Sequence, residues 1–256
     1  MIIKEKIKAS LIHLSLSILL VALIIGSTLF FLFPKLFIDV TDFKEVASII
    51  ISVDLVLGPL LTFVVYNSQK AKKLLYIDFS VIGVIQLSAL LYGAYSLYQI
   101  HPVYVAFNVD RFTIVTAKDA EPEKALIDEF KVSKFTAGKL AFAKMPTDLE
   151  KQNDLLLATT GGGEDLDKME EYYEPIKDNI SSIMVKSLKP QDLFKTETAK
   201  NKAKKFLSKQ QDKINSYAFF PLNSEDKDAI IVLDKKTAQP ITVINLDPWS
   251  LLADNK

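Results

Sequence analysis

Three long apolar runs occupy the first hundred residues of the chain. Residues 11–33 and 79–98 contain no charged side chain, and residues 46–66 contain one, Asp54. A helix rises about 1.5 Å per residue, so each run is long enough to cross a hydrocarbon core of about 30 Å. No comparable run follows His101. The pattern predicts a membrane domain of three helices over residues 1–100 and a second domain outside the bilayer over residues 101–256.

The distribution of lysine predicts how these helices are oriented. The residues before the first run and the loop 67–77 carry an excess of lysine, whereas the loop 34–45 carries more acids than lysines. Lysine-rich segments stay in the cytoplasm. The first run exceeds the apolar core of a signal peptide, about 7–15 residues, so we expect an uncleaved anchor. We therefore expect a multi-pass protein of a bacterial inner membrane, with a cytoplasmic N-terminus and a periplasmic C-terminal domain.

A few polar or helix-breaking residues interrupt the second and third runs. Asp54 lies about nine residues into the second run, where an ionisable group costs at least about 2.5–3.5 kcal/mol on insertion scales. Gly58 and Pro59 follow one turn later, and a proline there is expected to kink the helix. Two interpretations remain open. Asp54 either hydrogen-bonds within the bundle, for example to Gln86, or faces a partner in a groove beside the kink.

Pairs of small residues spaced four apart occur in the first and third runs, as Ala22/Gly26 and Ala89/Gly93. Such pairs allow two helix backbones to approach closely. They predict packing within the bundle or, alternatively, a docking face for a membrane helix of another protein. We therefore include Gly93 with Asp54, Gly58, Pro59 and Gln86 as candidate partner-binding residues.

The pattern after residue 101 is typical of an α+β domain with an antiparallel sheet. Residues 103–117 are rich in β-branched and aromatic side chains and predict one long strand. A helix starting near Glu121 would bury Leu126, Phe130 and Phe135, and Trp249 would cap the core. The remaining elements are predicted as strands over 140–143, 217–222, 229–234 and 240–246, and as helices over 147–157, 164–173 and 192–214. The last of these helices has a lysine-rich face, either solvated or in contact with an anionic surface.

The amino-acid composition argues against several classes of function. Equal numbers of basic and acidic residues, 31 each, argue against a nucleic-acid binder. The chain has no cysteine and two histidines, so a thiolate nucleophile or a metal centre is not expected. Gly161–Gly163 lacks the rest of a phosphate-binding loop. We therefore expect that the protein is not an enzyme and binds no cofactor. Arg111 is the only arginine; codon usage explains that bias, but Arg111 is kept as a candidate partner contact.

Three stretches resemble the type IV pilin accessory proteins, the TfpX/TfpZ and FimB-like group. They are DLVLGPLLTFVVYNSQK (54–70), DFSVIGVIQLSALLYGAYSLYQIHPVYVAFNVDRFTIVTA (78–117) and FFPLNSEDKDAIIVLDKKTAQPITVINLDPW (219–249). The resemblance implies an inner-membrane protein that binds and stabilises a cognate type IV pilin and promotes its assembly. It also implies a partner with one long apolar helix and a globular periplasmic head.

The partners expected on this basis are the pilin, the lipid bilayer and other pilus assembly proteins. The alternative is a membrane-anchored periplasmic ligand-binding or sensory protein that acts through a partner. The short cytoplasmic segments predicted here contain no output domain, so such a sensor would need a partner to signal. A neighbouring pilin gene would favour the first function.

Overall fold

The computed structural model describes residues 2–194, 197–225 and 227–249. The chain forms two compact units. The helical unit contains the three apolar runs. The sheet unit combines Phe33–Thr41 with the chain from His101 onward. A segment between the first two apolar runs therefore belongs to the same unit as the C-terminal half of the chain.

The helical unit confirms the three predicted apolar helices. Helix α1 spans Ile2–Phe31, and α4 spans Lys72–Ile100. Between them, the second run forms α2 (Phe43–Ile51), a π-helical segment (Ser52–Leu57) and α3 (Gly58–Val65). The three spans have mean hydropathies of 2.5, 2.2 and 2.0 and are long enough to cross a membrane.

The π-helical segment lies directly before Pro59. Proline has no amide hydrogen, so the regular bond from residue 59 to the carbonyl four residues earlier is missing. The Gly58 amide instead donates to the carbonyl of Val53, five residues earlier. This wider turn accommodates the gap in the hydrogen-bond ladder, and π-helical turns of this kind occur frequently at functional sites. It also carries Asp54.

The second run changes neighbours along its length. Its first half, α2, packs mainly on α4, whereas its second half, α3, packs mainly on α1. Gly93 of α4 lies against the side chain of Ile50 in α2, which leaves no room for a β-carbon. Gly26 of α1 has no atom within 4 Å of the place where a β-carbon would stand. Gly93 therefore contributes to bundle packing, and Gly26 does not.

The sheet unit contains one seven-stranded sheet with the order β4-β3-β1-β2-β5-β6-β7. The strands are β1 (Pro102–Asn108), β2 (Arg111–Thr116), β3 (Lys139–Ala143), β4 (Tyr173–Glu174), β5 (Tyr217–Asn223), β6 (Ala229–Asp234) and β7 (Pro240–Ile244).

The prediction of an antiparallel sheet is wrong, because the sheet is mixed. β1 pairs in parallel with β3, and β2 pairs in parallel with β5. The other neighbours are antiparallel. Parallel neighbours need long crossover connections, and the stretches 117–138 and 117–216 provide them. A local sequence pattern can indicate hairpins, but it does not indicate which distant strands become neighbours in the sheet.

Strand β6 is buried on both faces of the sheet. Ile231 and Leu233 join a core that includes Phe37 and Val40 from the loop between α1 and α2. Ile230 and Val232 join a second core, covered by Ala199 and Ala203. Those two alanines belong to α8 (Glu197–Gln210). Burial on both faces explains why the sequence of β6 is an unbroken apolar run and does not alternate between apolar and polar residues.

The long strand predicted over residues 103–117 is a hairpin of β1 and β2. The chain turns at Val109, whose φ of 57° lies in the left-handed region. This conformation is unfavourable for a β-branched residue, so propensity alone did not predict a turn here. The pairing of β1 with β2 over most of their length outweighs the local cost.

Three of the predicted helices also differ from the structure. The region from Glu121 forms short 3₁₀ turns in which Phe130 is buried but Leu126 and Phe135 are exposed. Residues 164–173 form 3₁₀ turns leading into β4. The helix expected over 192–214 is divided into α7 (Pro190–Leu193), α8 and a 3₁₀ segment, and residues 195–196 lie outside the described residues. Each of these stretches packs beside the sheet, where tertiary contacts override helical spacing.

Other predictions are confirmed. Helix α5 (Leu149–Thr160) begins at Asp148, whose carboxylate accepts a hydrogen bond from the amide of Glu150. Acceptors at this position stabilise the first turn of a helix. β3 and β5–β7 lie where the sequence placed strands. A further short helix, α6 (Ile180–Met184), buries Ile183 in the first core.

Candidate functional site

A cavity of about 470 Å³ lies among the helices of the helical unit. Its wall is mostly apolar, but polar side chains reach it from every span. Asp54 comes from the π-helical segment, Gln86 from α4, and His13 from α1. The wall also includes Leu16, Ser17, Leu20, Thr62, Tyr66, Phe79, Leu87 and Leu90.

Two polar atoms at this cavity have no hydrogen-bond partner in the described part of the chain. They are the Oδ2 atom of Asp54, which accepts, and the Nε2 atom of Gln86, which donates. Both residues are buried, 4% and 8% exposed. A buried polar group without a partner costs about 1–3 kcal/mol, and hydrocarbon provides no substitute for the missing bond. The cavity therefore offers one unused acceptor and one unused donor at membrane depth.

His13 is fixed in place at the same cavity. Its Nδ1 atom is hydrogen-bonded to the hydroxyl of Thr62, with 2.5 Å between the two atoms. Nearby, the hydroxyl of Ser10 donates to the carbonyl of Pro59 at 2.8 Å. These bonds link α1 to the segment that follows the π-helical turn. The proline therefore lies where two spans are joined by polar contacts.

The structure brings four of the six predicted site residues together. Asp54 and Gln86 line the cavity, and the Gln86 amide fills the space beside the Cα atom of Gly58. Pro59 follows directly and is buried. Asp54 Oδ2 and Gln86 Nε2 each have no hydrogen-bond partner among the described residues, so these two atoms do not bond to each other. A role of Asp54 within the bundle and a role in binding a partner both stay predictions.

The other two predicted residues lie elsewhere. Gly93 packs against Ile50 and is not part of the cavity wall. Arg111 belongs to the sheet unit, where its guanidinium lies 3.7 Å from both Asp110 and Asp165. It also lies 6.0 Å from the ring centre of Trp249. Trp249 is 37% exposed, so the prediction that it caps the core is wrong.

Sequence reasoning missed His13 and Thr62 as members of the site. A signal for both was available. Thr62 follows Asp54 by eight residues, about two turns, and therefore lies on the same helix face. His13 is the one imidazole within the first apolar run. Only the packing of α1 against α3 brings the two side chains together, because 49 residues separate them in the chain.

The sheet unit contains a separate group of buried ionisable side chains. Glu170 is 1% exposed, and its Oε1 accepts a hydrogen bond from the amide of Glu121 at 2.9 Å. The Tyr173 hydroxyl donates to the carbonyl of Asp167. Burial raises the pKa of the carboxyl groups of Glu170 and Asp167 above their ordinary values. Within residues 2–194, 197–225 and 227–249, no three potential ligand residues are arranged to hold a metal ion.

These features define a protein in which three membrane-capable helices line a mostly apolar cavity with a few polar side chains, and a mixed sheet forms a second unit. Comparison with known proteins identifies its family. Over 112 residues, 44% of the chain, it is 39% identical to the fimbrial assembly protein of serogroups C1 and C2 of Dichelobacter nodosus, and the match covers 86% of that protein. The chain therefore belongs to the fimbrial assembly protein family.

Two further relatives from the same organism support this assignment. The serogroup I protein is 39% identical and the serogroup E1 protein 38% identical, each over 112 residues. The match spans 44% of the length of each of these relatives. The resemblance to type IV pilin accessory proteins is thereby confirmed. No family profile matches the chain, and no solved structure matches it.

Proposed function

We propose that this protein is an inner-membrane accessory protein that binds a cognate type IV pilin, stabilises it before assembly and promotes its incorporation into pili. Its relatives are named fimbrial assembly proteins. It acts by binding rather than by catalysis and needs no cofactor. Binding the folded, unassembled pilin would protect it by mass action.

The observation that carries this proposal is the pair of unused polar atoms at the cavity, Asp54 Oδ2 and Gln86 Nε2. In a membrane, such atoms are retained at a cost and mark functional contacts. A pilin helix that projects one polar group toward the cavity would satisfy both atoms. The apolar remainder of the wall would pack against the apolar remainder of that helix.

The proposed location follows from the lysine distribution. If the lysine-rich segments lie on the cytoplasmic side, three crossings would leave the sheet unit in the periplasm. The pilin head would then be on the same side as the sheet unit, while its helix shares the bilayer with the bundle. The bilayer and other pilus assembly proteins are the remaining partners of this arrangement.

The test compares Asp54→Leu, Asp54→Asn and Gln86→Leu in cells that make the cognate pilin. We expect Asp54→Leu to leave the amount of this protein unchanged, because it removes an atom that has no internal partner. Pilin should fall, by roughly tenfold if about 1.4 kcal/mol of binding is lost. Asp54→Asn should have a smaller effect, since the amide keeps an acceptor.

The matched control is Thr28→Val. Thr28 is also a buried polar residue of a membrane span, but its hydroxyl donates to the carbonyl of Ile24 in its own helix. It does not line the cavity, so pilin should remain at its normal level. Loss of this protein itself in Asp54→Leu would assign Asp54 to the fold instead. Normal amounts of both proteins, with normal pili, would refute the proposal.

A further inference from the structure

The two edges of the sheet differ in length. One edge is β4, which has only two residues. The other is β7, which has five residues and pairs on one side with β6. The N–H and C=O groups of an edge strand point alternately toward its neighbour and away from it. Among the residues that the structure describes, β7 therefore presents the longer row of backbone groups to which another strand could be added.

A groove of about 520 Å³ runs beside β7. Residues 241–245 form one wall over almost the whole length of the strand. Leu36 and Val40 border it on one side, and Phe206 borders it on the other. Ile241 is 42% exposed. The edge of β7 thus borders a channel that both polar and apolar side chains line.

The groove lies between the two layers that cover the faces of the sheet. Leu36 and Val243 pack on the first core, and Phe206 packs on the second, with α8. Each layer contributes one exposed lysine to the groove, Lys35 from the loop and Lys202 from α8. Asp39 contributes one carboxylate. The charged side chains that line it therefore give a net positive charge.

We propose that the β7 edge binds an extended, carboxylate-bearing segment of the pilin head, which pairs with β7 as an additional strand. This inference rests on the function proposed above, because it takes the pilin as the partner. Main-chain hydrogen bonds supply affinity in strand addition, and alternate side chains supply specificity. Successive side chains of the added strand point to opposite faces. Neighbouring acidic residues would therefore face Lys35 and Lys202, respectively.

Charge argues against a second copy of this chain as the occupant. Two β7 strands pairing antiparallel would be related by a two-fold axis perpendicular to the sheet, which keeps each face on its own side. Lys202 would then share a face with Lys202 of the second copy, and Lys35 with its own equivalent. Like charges brought together in this way are destabilising. An acidic segment of a different protein meets no such repulsion.

The first test places a photo-crosslinking amino acid at Ile241 of the full-length protein in cells making the pilin. We expect a pilin adduct. The same amino acid at Leu87, which lines the membrane cavity and is 54% exposed, tests the proposed function independently. An adduct at Leu87 without one at Ile241 would refute the β7 inference alone. No adduct at either position would refute both, and an adduct with a second copy at Ile241 would refute the inference.

The second test reverses the charges of the groove. Lys35→Glu and Lys202→Glu should each reduce the Ile241 adduct by about three- to tenfold, while the Leu87 adduct persists. Lys204→Glu is the matched control, because Lys204 is an exposed lysine of the same helix outside the groove. Adduct levels that do not respond to Lys35→Glu and Lys202→Glu would contradict recognition of an acidic segment.

The third test addresses strand pairing itself. Thr242→Pro and Val243→Pro remove amide groups that point in opposite directions, since neighbouring residues of a strand alternate. Proline is tolerated on an edge strand where its nitrogen faces outward. One of these two variants should accumulate in cells to the wild-type level, because its proline nitrogen faces outward. We expect that variant to lose most of the Ile241 adduct. An undiminished Ile241 adduct in that variant would rule out strand addition. Strand addition would also be ruled out if neither proline variant accumulated and the lysine variants left the adduct unchanged.

Discussion

The side-chain amide of Gln86 occupies the place where a β-carbon at residue 58 would stand, so this position of the amide requires glycine at residue 58. Gly58 begins α3, and Gln86 belongs to α4. The pair therefore fixes the position of an amide donor from one span against the backbone of another. The contact joins the kinked span to a residue of the cavity wall.

We predict that Gly58→Ala impairs pilin stabilisation with little loss of the protein itself. The new β-carbon would displace the end of a flexible side chain, which costs about 0.5–1.5 kcal/mol. Gln86 would turn away from the place where its Nε2 atom is available. Immunoblots of both proteins measure this. Gly58→Ala combined with Gln86→Leu should be no worse than Gln86→Leu alone.

The control for this variant is Gly26→Ala, because no atom lies within 4 Å of the β-carbon it would introduce. It should leave both proteins at their normal amounts. A large loss of this protein in Gly58→Ala would instead mean that Gln86 cannot move, and the residue would then serve packing rather than binding.

Gly93→Ala should have the opposite outcome and destabilise the bundle. Its β-carbon would stand 2.5 Å from Cγ1 and 2.8 Å from Cδ1 of Ile50, near the root of a branched side chain that is 3% exposed. Overpacking of this kind costs about 1–3 kcal/mol. Thermal unfolding of the purified protein in detergent measures the loss. Ile50→Ala should restore part of the stability in the double variant.

Gly83→Ala provides the reference, since it lies on the same helix and its β-carbon would have no atom within 4 Å. Its melting temperature should match that of the wild type. Equal melting temperatures for Gly83→Ala and Gly93→Ala would show that α2 and α4 are not held at this distance.

Glu170→Gln should stabilise the protein at neutral and alkaline pH. Burial raises the pKa of the Glu170 carboxyl above its ordinary value of 4.5. The folded state therefore binds the proton more tightly than the unfolded state. Its contribution to stability is complete below the ordinary pKa and is lost as the pH rises through the folded pKa. A tenfold difference in proton affinity between the two states corresponds to about 1.4 kcal/mol of stability.

Thermal unfolding of the full-length protein in detergent at pH 5 and pH 8 tests this prediction. Glu170→Gln should gain stability relative to the wild type on going from pH 5 to pH 8, because the variant carries no charge to bury. Glu123→Gln, at an exposed position of the same region, should show no such change. A Glu170→Gln difference that is the same at both pH values would assign the effect to packing.

The proposed orientation predicts opposite results for reporters at two positions. Alkaline phosphatase fused after Lys256 should be active, and the same enzyme fused after Ser68 should be inactive. The reason is the lysine-rich loop that contains Ser68, which is expected to stay in the cytoplasm. A cytoplasmic reporter should give the reverse pattern. An inactive phosphatase at Lys256 with an active one at Ser68 would invert the assignment.

The sequence by itself determined the elements whose signal is local. Uninterrupted apolar length is sufficient to indicate helices that can cross a membrane, which is why all three were predicted. The strands β5–β7 follow one another through short connections, so each had a clear pattern and clear limits. Asp54 was identifiable as a candidate site residue because a carboxylate within an apolar run is conspicuous in any single sequence.

Only the tertiary structure decided the features that join distant parts of the chain. The parallel pairing of β2 with β5, the hydrogen bond of His13 to Thr62, and the contact of Gly58 with Gln86 each connect residues from different elements. The same holds for the open β7 edge, which follows from the order of the strands in the sheet. Local propensity cannot encode such contacts, since burial and packing against remote neighbours decide which one forms.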